Sequence, residues 1–149
     1  MKKLYFLLCI FIVNLLLFFP LYGKESKYFT DAKKLYHEKN FEDSKFLFEK
    51  DIVFNPKNEK SYLYLAKIFN KNNNDEEQEI NLNSVLLLNP QNDEAIYMLT
   101  MLKIKQSNYD QAKKLIKKFE LVCKSFCSKK NEIEEQFKKL IPENAKSNN

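Results

Sequence analysis

Two Asn-Pro dipeptides, Asn55-Pro56 and Asn89-Pro90, stand 34 residues apart, and the stretch that ends at the second constrains the fold more than any other part of the chain. Residues 61–90 read as one apolar-periodic helical segment, a polar break at Asn72-Asn73-Asn74-Asp75, a second such segment, and then the stop. Proline cannot continue a helix and pushes the preceding residue out of the α region, so each dipeptide closes a helical unit. With one Gly and four Pro in 149 residues, β-turn chemistry is almost absent. The expected class is all-α.

The same two-helix unit is legible three times, over about 26–58, 59–92 and 93–125. In the first, Tyr28, Ala32, Leu35 and Tyr36 recur at helical spacing over a helix expected at 24–39. Asn40 breaks it, and Phe41, Phe48 and Ile52 face inward on the next. In the second, Tyr62, Leu65, Ala66 and Phe69 form one face, Asp75 is expected to cap the following helix, and Leu82, Val85 and Leu86 face inward. In the third, Ile96, Leu99 and Leu102 are followed by a turn at Ser107-Asn108 and by Tyr109, Ala112, Ile116 and Phe119. Its Asn-Pro stop is missing, replaced by Cys123-Lys124-Ser125-Phe126-Cys127. A closing helix over 130–141 carries Ile133, Phe137 and Leu140 on one face and Lys and Glu on the other, which suits a cap packed on the last pair. Pro142 stops it, and 142–149 is expected to be a disordered tail.

The chain opens Met1-Lys2-Lys3 and runs apolar through 4–19 to Pro20-Leu21-Tyr22-Gly23. A positive start, an apolar centre and a small final residue fit a secretory signal over 1–23, cut after Gly23, which places the protein in the periplasm or another exported compartment. The alternative is an uncleaved inner-membrane anchor, although the run is short of the roughly 20 residues that span a bilayer and Asn14 interrupts it. Cys9 follows Leu7 and Leu8 rather than a small residue, so it is not a lipidation site. The remaining pair, Cys123 and Cys127, reads as a disulfide in an exported protein. Residues four apart on an unbroken helix are badly placed for a bridge, so the helix is expected to break at Lys124-Ser125.

Helix, turn and helix at a 34-residue period resemble the tetratricopeptide repeat (TPR). The second unit matches the family pattern with Tyr62, Leu65-Ala66, Phe69, Val85 and Pro90. The first matches with Tyr28, Ala32, Leu35, Phe41, Phe48 and Pro56, and the third with Ile96, Leu99, Tyr109, Ala112 and Phe119. Ser44 and Gln78 stand where the third unit has the small Ala112, so those two pairs are expected to pack less closely; Thr100 and Lys103 also depart from the pattern. The tail from Phe119 to Leu140 is similar to that of small exported bacterial TPR proteins, whose last repeat runs into a Cys pair and a short closing helix. The resemblance implies a right-handed α-α superhelix of three helix pairs plus the cap. It also implies a concave groove, lined by the first helix of each pair, that binds a protein or peptide. The matching positions are Phe29, Lys33, Tyr36 and His37, then Lys60, Leu63, Lys67 and Lys71, then Tyr97, Met101, Ile104 and Lys105. Aromatic and aliphatic groups beside Lys suit a partner with apolar anchors and acidic groups. The chaperone-type carboxylate clamp is absent, since its positions hold Phe29, Lys33, Tyr64, Glu94 and Met98.

No catalytic set accompanies these repeats. His37 is the only His, and no Ser-His-Asp arrangement, metal-ligand spacing or glycine-rich phosphate loop exists. The Cys spacing is C-x-x-x-C, not the C-x-x-C of thioredoxin-like enzymes. Net charge is +5, all of the cations are Lys, and they are spread along the chain rather than gathered into a nucleic-acid footprint. The sequence thus leads to a non-enzymatic scaffold or adaptor without cofactor or metal, with a membrane-tethered assembly factor as the alternative.

Overall fold

The computed structural model describes residues 25–140, which form seven α-helices and one short 3-10 turn, with no strand among them. The helices are α1 (Lys27–His37), α2 (Phe41–Phe54), α3 (Glu59–Lys71), α4 (Asp75–Leu88), α5 (Asp93–Lys105), α6 (Tyr109–Val122) and α7 (Lys130–Leu140), with the 3-10 turn at Cys127–Lys129 just before α7. The expected signal segment 1–23, Ile141, Pro142 and the tail 142–149 lie outside the described residues. Helices α1 to α6 each pack chiefly on their neighbours in the chain, so the described residues form a row of helical hairpins, α1–α2, α3–α4 and α5–α6, closed by α7.

The local chemistry that sets these elements repeats with the same period. Ser26, Asn40, Asn74, Asn92 and Asn108 each accept a backbone N–H from three residues on, the usual N-cap bond. Asn74, not Asp75 as expected, is the cap of α4; Asp75 is already helical and adds charge to the first turn. Lys39, Asn73 and Ser107 take positive φ of 63°, 54° and 55°. Each lies just past the first helix of its pair, and the next N–H reaches back to Leu35, Phe69 and Lys103 to close the helix end. Glycine would normally fill such positions, and this chain has almost none to spend there.

No pair of helices buries its own apolar face. One cluster joins Phe29 and Ala32 of α1, Phe48 of α2, and Leu65, Ile68 and Phe69 of α3. A second joins Leu63 and Ala66 of α3, Leu82 and Val85 of α4, and Ala95, Met98, Leu99 and Leu102 of α5. The third joins Ile96 and Ile104 of α5, Ala112 and Phe119 of α6, and Ile133 of α7. Each pair is therefore sealed by the helix that follows it. The closing helix was expected to meet α6, but it packs more on α5 than on α6.

Several side chains depart from the reading of the sequence. Tyr28 and Tyr109, expected inward, are exposed and stack at the surface on Phe54 (5.5 Å) and Phe137 (5.0 Å). Ser44 and Gln78 do not loosen their helix pairs, which pack at least as extensively as the third. The Ser44 hydroxyl donates to the Ala32 carbonyl at 2.9 Å, and Gln78 lines a cleft. Thr100 donates to Ile96 at 2.7 Å. Lys103 is only 5% exposed and is neutralised by Glu79 at 2.5 Å, with Gln106 accepting at 2.9 Å.

The fully buried carboxylate of Asp51, near the end of α2, has no cation beside it among the described residues. It accepts hydrogen bonds from the hydroxyls of Ser26 and Ser61 and from the amides of Asn55 (3.0 Å) and Asn58 (2.7 Å). Burial by itself raises its pKa, but the four donors outweigh burial and hold it below its ordinary 3.8. These donors come from the cap of α1, the linker 55–58 and the first turn of α3, so one side chain fixes how three helices meet.

Two outcomes are expected. Asp51→Ala leaves four buried or half-buried donors unpaired and should cost about 3 kcal/mol in urea unfolding at neutral pH. Because the folded pKa is depressed, the Asp51 contribution is full above 3.8 and is lost as pH falls below it, so the gap between wild type and Asp51→Asn should narrow toward pH 3. A pH-independent gap would show that the charged form is not what the donors hold. Separately, Ser107→Gly should raise stability by about 0.5 kcal/mol, since relief at positive φ exceeds the entropy cost of glycine; an unchanged midpoint would show that no strain resides at that turn.

Candidate partner-binding site

The groove positions named from the sequence are not one surface. Phe29, only 1% exposed, lies in the first core, and Leu63 and Ile104 are likewise buried. Those three offer nothing to a partner, because each next helix covers them. Tyr36 is half-buried, edge-on to Tyr64 (4.9 Å) and Phe41 (5.5 Å). Burial, then the nearby Tyr64 and Glu94, push its phenol pKa up. His37, Lys71, Tyr36, Lys39 and Phe41 surround one open depression of about 400 Å³, and the Lys71 ammonium sits 5.1 Å from the Phe41 ring centre. Lys33 is exposed.

The lysines expected to meet an acidic partner are mostly engaged within the fold. Lys60 pairs with Glu25 at 2.6 Å, Lys67 with Glu94 at 2.7 Å, and Lys105 with Asp75 at 2.7 Å. Lys67 also lies 5.1 Å from the Tyr64 ring centre. Lys67, named for the groove, is therefore not a free charge there. Tyr97 donates its hydroxyl to Glu132 of α7 at 2.8 Å, and Lys129 stands 5.5 Å from its ring centre. Burial first, then the Glu132 carboxylate, push the Tyr97 phenol up to about 12. Glu132 is in turn held low by Lys129 first and by Tyr97 second.

What the fold does assemble is a cleft of about 340 Å³ between α3 and α5, lined by Asn70, Gln78, Tyr97, Met98, Met101, Leu102 and Lys105. Three of the named groove residues, Tyr97, Met101 and Lys105, meet there. Gln78 reaches it from α4 and was read from the sequence only as a misfit in the packing. It is 3% exposed, and its Oε1 has no hydrogen-bond partner among the described residues. A buried amide oxygen left unpaired is costly unless an incoming donor satisfies it. The thioethers of Met98 and Met101 supply an adaptable apolar wall beside it. Among the described residues, no group of three or more His, Cys, Asp or Glu is gathered to hold a metal ion, and no helix is long and apolar enough to cross a membrane.

At the far end of α5 the sequence reading missed a second acid. Asp93 Oδ2 accepts the backbone N–H groups of Lys124 (2.7 Å), Ser125 (2.7 Å) and Phe126 (2.9 Å). Burial raises its pKa, but these bonds dominate and hold it low. The loop so held runs between Cys123 and Cys127, whose Cα atoms are 5.2 Å apart and whose sulfurs are at disulfide distance. The helix break expected there is present, since α6 ends at Val122. Bridge and carboxylate together fix the approach of α7, and so where Glu132 meets Tyr97.

Neither a protein-family model nor a curated protein sequence matches the chain.

If α7 is held on α5 by Tyr97, two readouts should agree. Tyr97→Phe should cost about 1 kcal/mol of stability at neutral pH. Wild-type stability from this phenol is full below pH 10 and is lost as pH rises toward about 12, because the raised folded pKa disfavours tyrosinate only in the fold. Ultraviolet titration in which all the tyrosines of the folded protein ionise together near 10 would contradict this.

Proposed function

We propose that the chain is a TPR-type α-α superhelix that works as a non-enzymatic protein-interaction module in an exported compartment, its 1–23 segment cut after Gly23 on export. The binding site in this reading is the cleft between α3 and α5, and its ligand is a segment of a protein or peptide partner. The observation that carries it is the buried Oε1 of Gln78, unpaired among the described residues, in a side chain that lines this mixed polar and apolar cleft. A partner backbone N–H or side-chain donor would complete that oxygen, while an apolar side chain packs on Met98 and Met101. The neutralised lysines argue for anchoring by shape and hydrogen bonding more than by charge. The 34-residue spacing of the caps and positive-φ turns supports the family reading.

The test is position-specific photo-crosslinking in the native envelope. A photoreactive residue in place of Met101 should capture a discrete partner, whereas one in place of Lys113 on α6 should not. Gln78→Leu should reduce that capture several-fold while leaving helicity intact. Identical products at both positions, or capture indifferent to Gln78→Leu, would remove the cleft as the site.

A further inference from the structure

Tyr97 belongs to two neighbourhoods. It lines the α3–α5 cleft together with Met98 and Met101. It is also held by the closing end of the fold. Its hydroxyl donates to Glu132 at 2.8 Å, and its ring centre lies 5.8 Å from that of Phe126. Lys129 stands over the same ring and pairs with Glu132 at 2.7 Å. Phe126, Lys129 and Glu132 fall within one short piece of chain, and the first of them sits inside the Cys123–Cys127 loop. The cleft wall is thus set from behind by residues that do not line the cleft.

The bridge governs that piece of chain. α6 ends at Val122 and the 3-10 turn begins at Cys127, so no helix carries the chain between them. Its order rests on the Asp93 Oδ2 that gathers the N–H groups of residues 124–126 and on the covalent link between its ends. The two act together. Three successive N–H groups meet one oxygen only while the backbone is folded into a tight turn, and the link removes the open conformations that compete with that turn. Once the link is cut, the loop regains those conformations, and Phe126, Lys129 and Glu132 lose their fixed place against Tyr97. Cys127 is exposed, whereas Cys123 is half-buried against the third core, so the link is reached from solvent at Cys127.

We propose that the Cys123–Cys127 bridge is a redox control on the cleft, and that Tyr97 carries the state of the bridge to the binding surface. This regulation rests on the cleft reading given above. With the bridge closed, Tyr97 is tied to Glu132 and the wall is preformed, so binding needs little further ordering. Opening the bridge takes a dithiol. One of its thiolates attacks the Cys127 sulfur, the S–S bond breaks, and Cys123 leaves as a thiolate. The second thiolate of the reductant then displaces Cys127 from the mixed disulfide. The reductant ends as a disulfide, two electrons poorer, and its two protons end on Cys123 and Cys127. The wall is then no longer fixed, and affinity for the partner segment falls. The reverse exchange, with a disulfide-bearing oxidant, makes the cleft competent.

Met1, Met98 and Met101 are the only methionines, so isotope labelling of methionine methyls reads the cleft wall almost alone. Dithiothreitol added to the full chain should move the Met98 or Met101 methyl signal, through the ring current of Tyr97, with far-ultraviolet helicity unchanged. Tyr97→Phe keeps the ring but not the bond to Glu132, so its oxidised form should already show signals displaced toward the reduced positions. The double variant Cys123→Ser, Cys127→Ser should match reduced wild type without reductant, and should lower photo-capture at position 101 several-fold. Methyl signals indifferent to the bridge overturn the proposal. So do signals that move only with a loss of helicity, which would make the bridge a brace of the fold and no more, and so does equal capture by the bridged and Cys-free chains. If the methyls follow the bridge while position 101 captures nothing in either state, the cleft reading fails and the coupling of bridge to wall stands.

Discussion

A helical hairpin has too little apolar surface facing itself to exclude water, and the stack follows from that constraint. Each of the three cores needs the first helix of the next unit: α3 seals Phe29 and Phe48, α5 seals Leu82 and Val85, and α7 seals Phe119. A unit with no successor would leave its second helix half-wet, and α7 is the successor that ends the series. Its outer face carries Lys and Glu, so it needs no further cover.

With the cores chained in this way, the angle between units is set at the linkers, and an acid acts at each one. Asp51 gathers the first linker with neutral donors, Glu59 accepts the Asn89 amide at 3.1 Å at the second, and Asp93 collects three backbone N–H groups at the third. The chemistry changes because the linkers do. Asn-Pro linkers present side-chain amides and lack one N–H, whereas the Cys123–Cys127 loop presents a run of free backbone donors. That loop stands where the third Asn-Pro stop would be, and it turns the chain back so that α7 meets α5 as well as α6.

The helices were legible because periodicity and punctuation agree: Asn-Pro, Asn-rich turns and apolar spacing all mark the same boundaries. The buried face of the middle unit was equally plain, with Leu65, Ala66, Phe69, Leu82 and Val85 all at the predicted core positions. Periodicity along one helix does not say which neighbour faces it. Phe29, Leu63 and Ile104 were therefore read as groove residues although the next helix covers them, and Lys67 and Tyr97 were read as groove contacts although Glu94 and Glu132 engage them from 27 and 35 residues away. The Gln78 orphan was invisible for the same reason: only the placement of α3, α4 and α5 together leaves its oxygen without a donor. Asp51 carried no sequence signal beyond its place on an otherwise apolar helix face.

The chaining of the cores also bears on how the molecule comes into being. Among the described residues, interhelical side-chain hydrogen bonds join positions no more than about 35 apart, and each core closes within the span of three consecutive helices. Chains built from such near-neighbour contacts close small loops and pay little entropy for each, which favours rapid folding. As it emerges N-terminus first from a ribosome or a translocation channel, this chain can seal its first core once α3 has cleared the exit. Each later helix then adds to a surface that is already ordered, and the Cys loop and α7 are the last parts to be fixed.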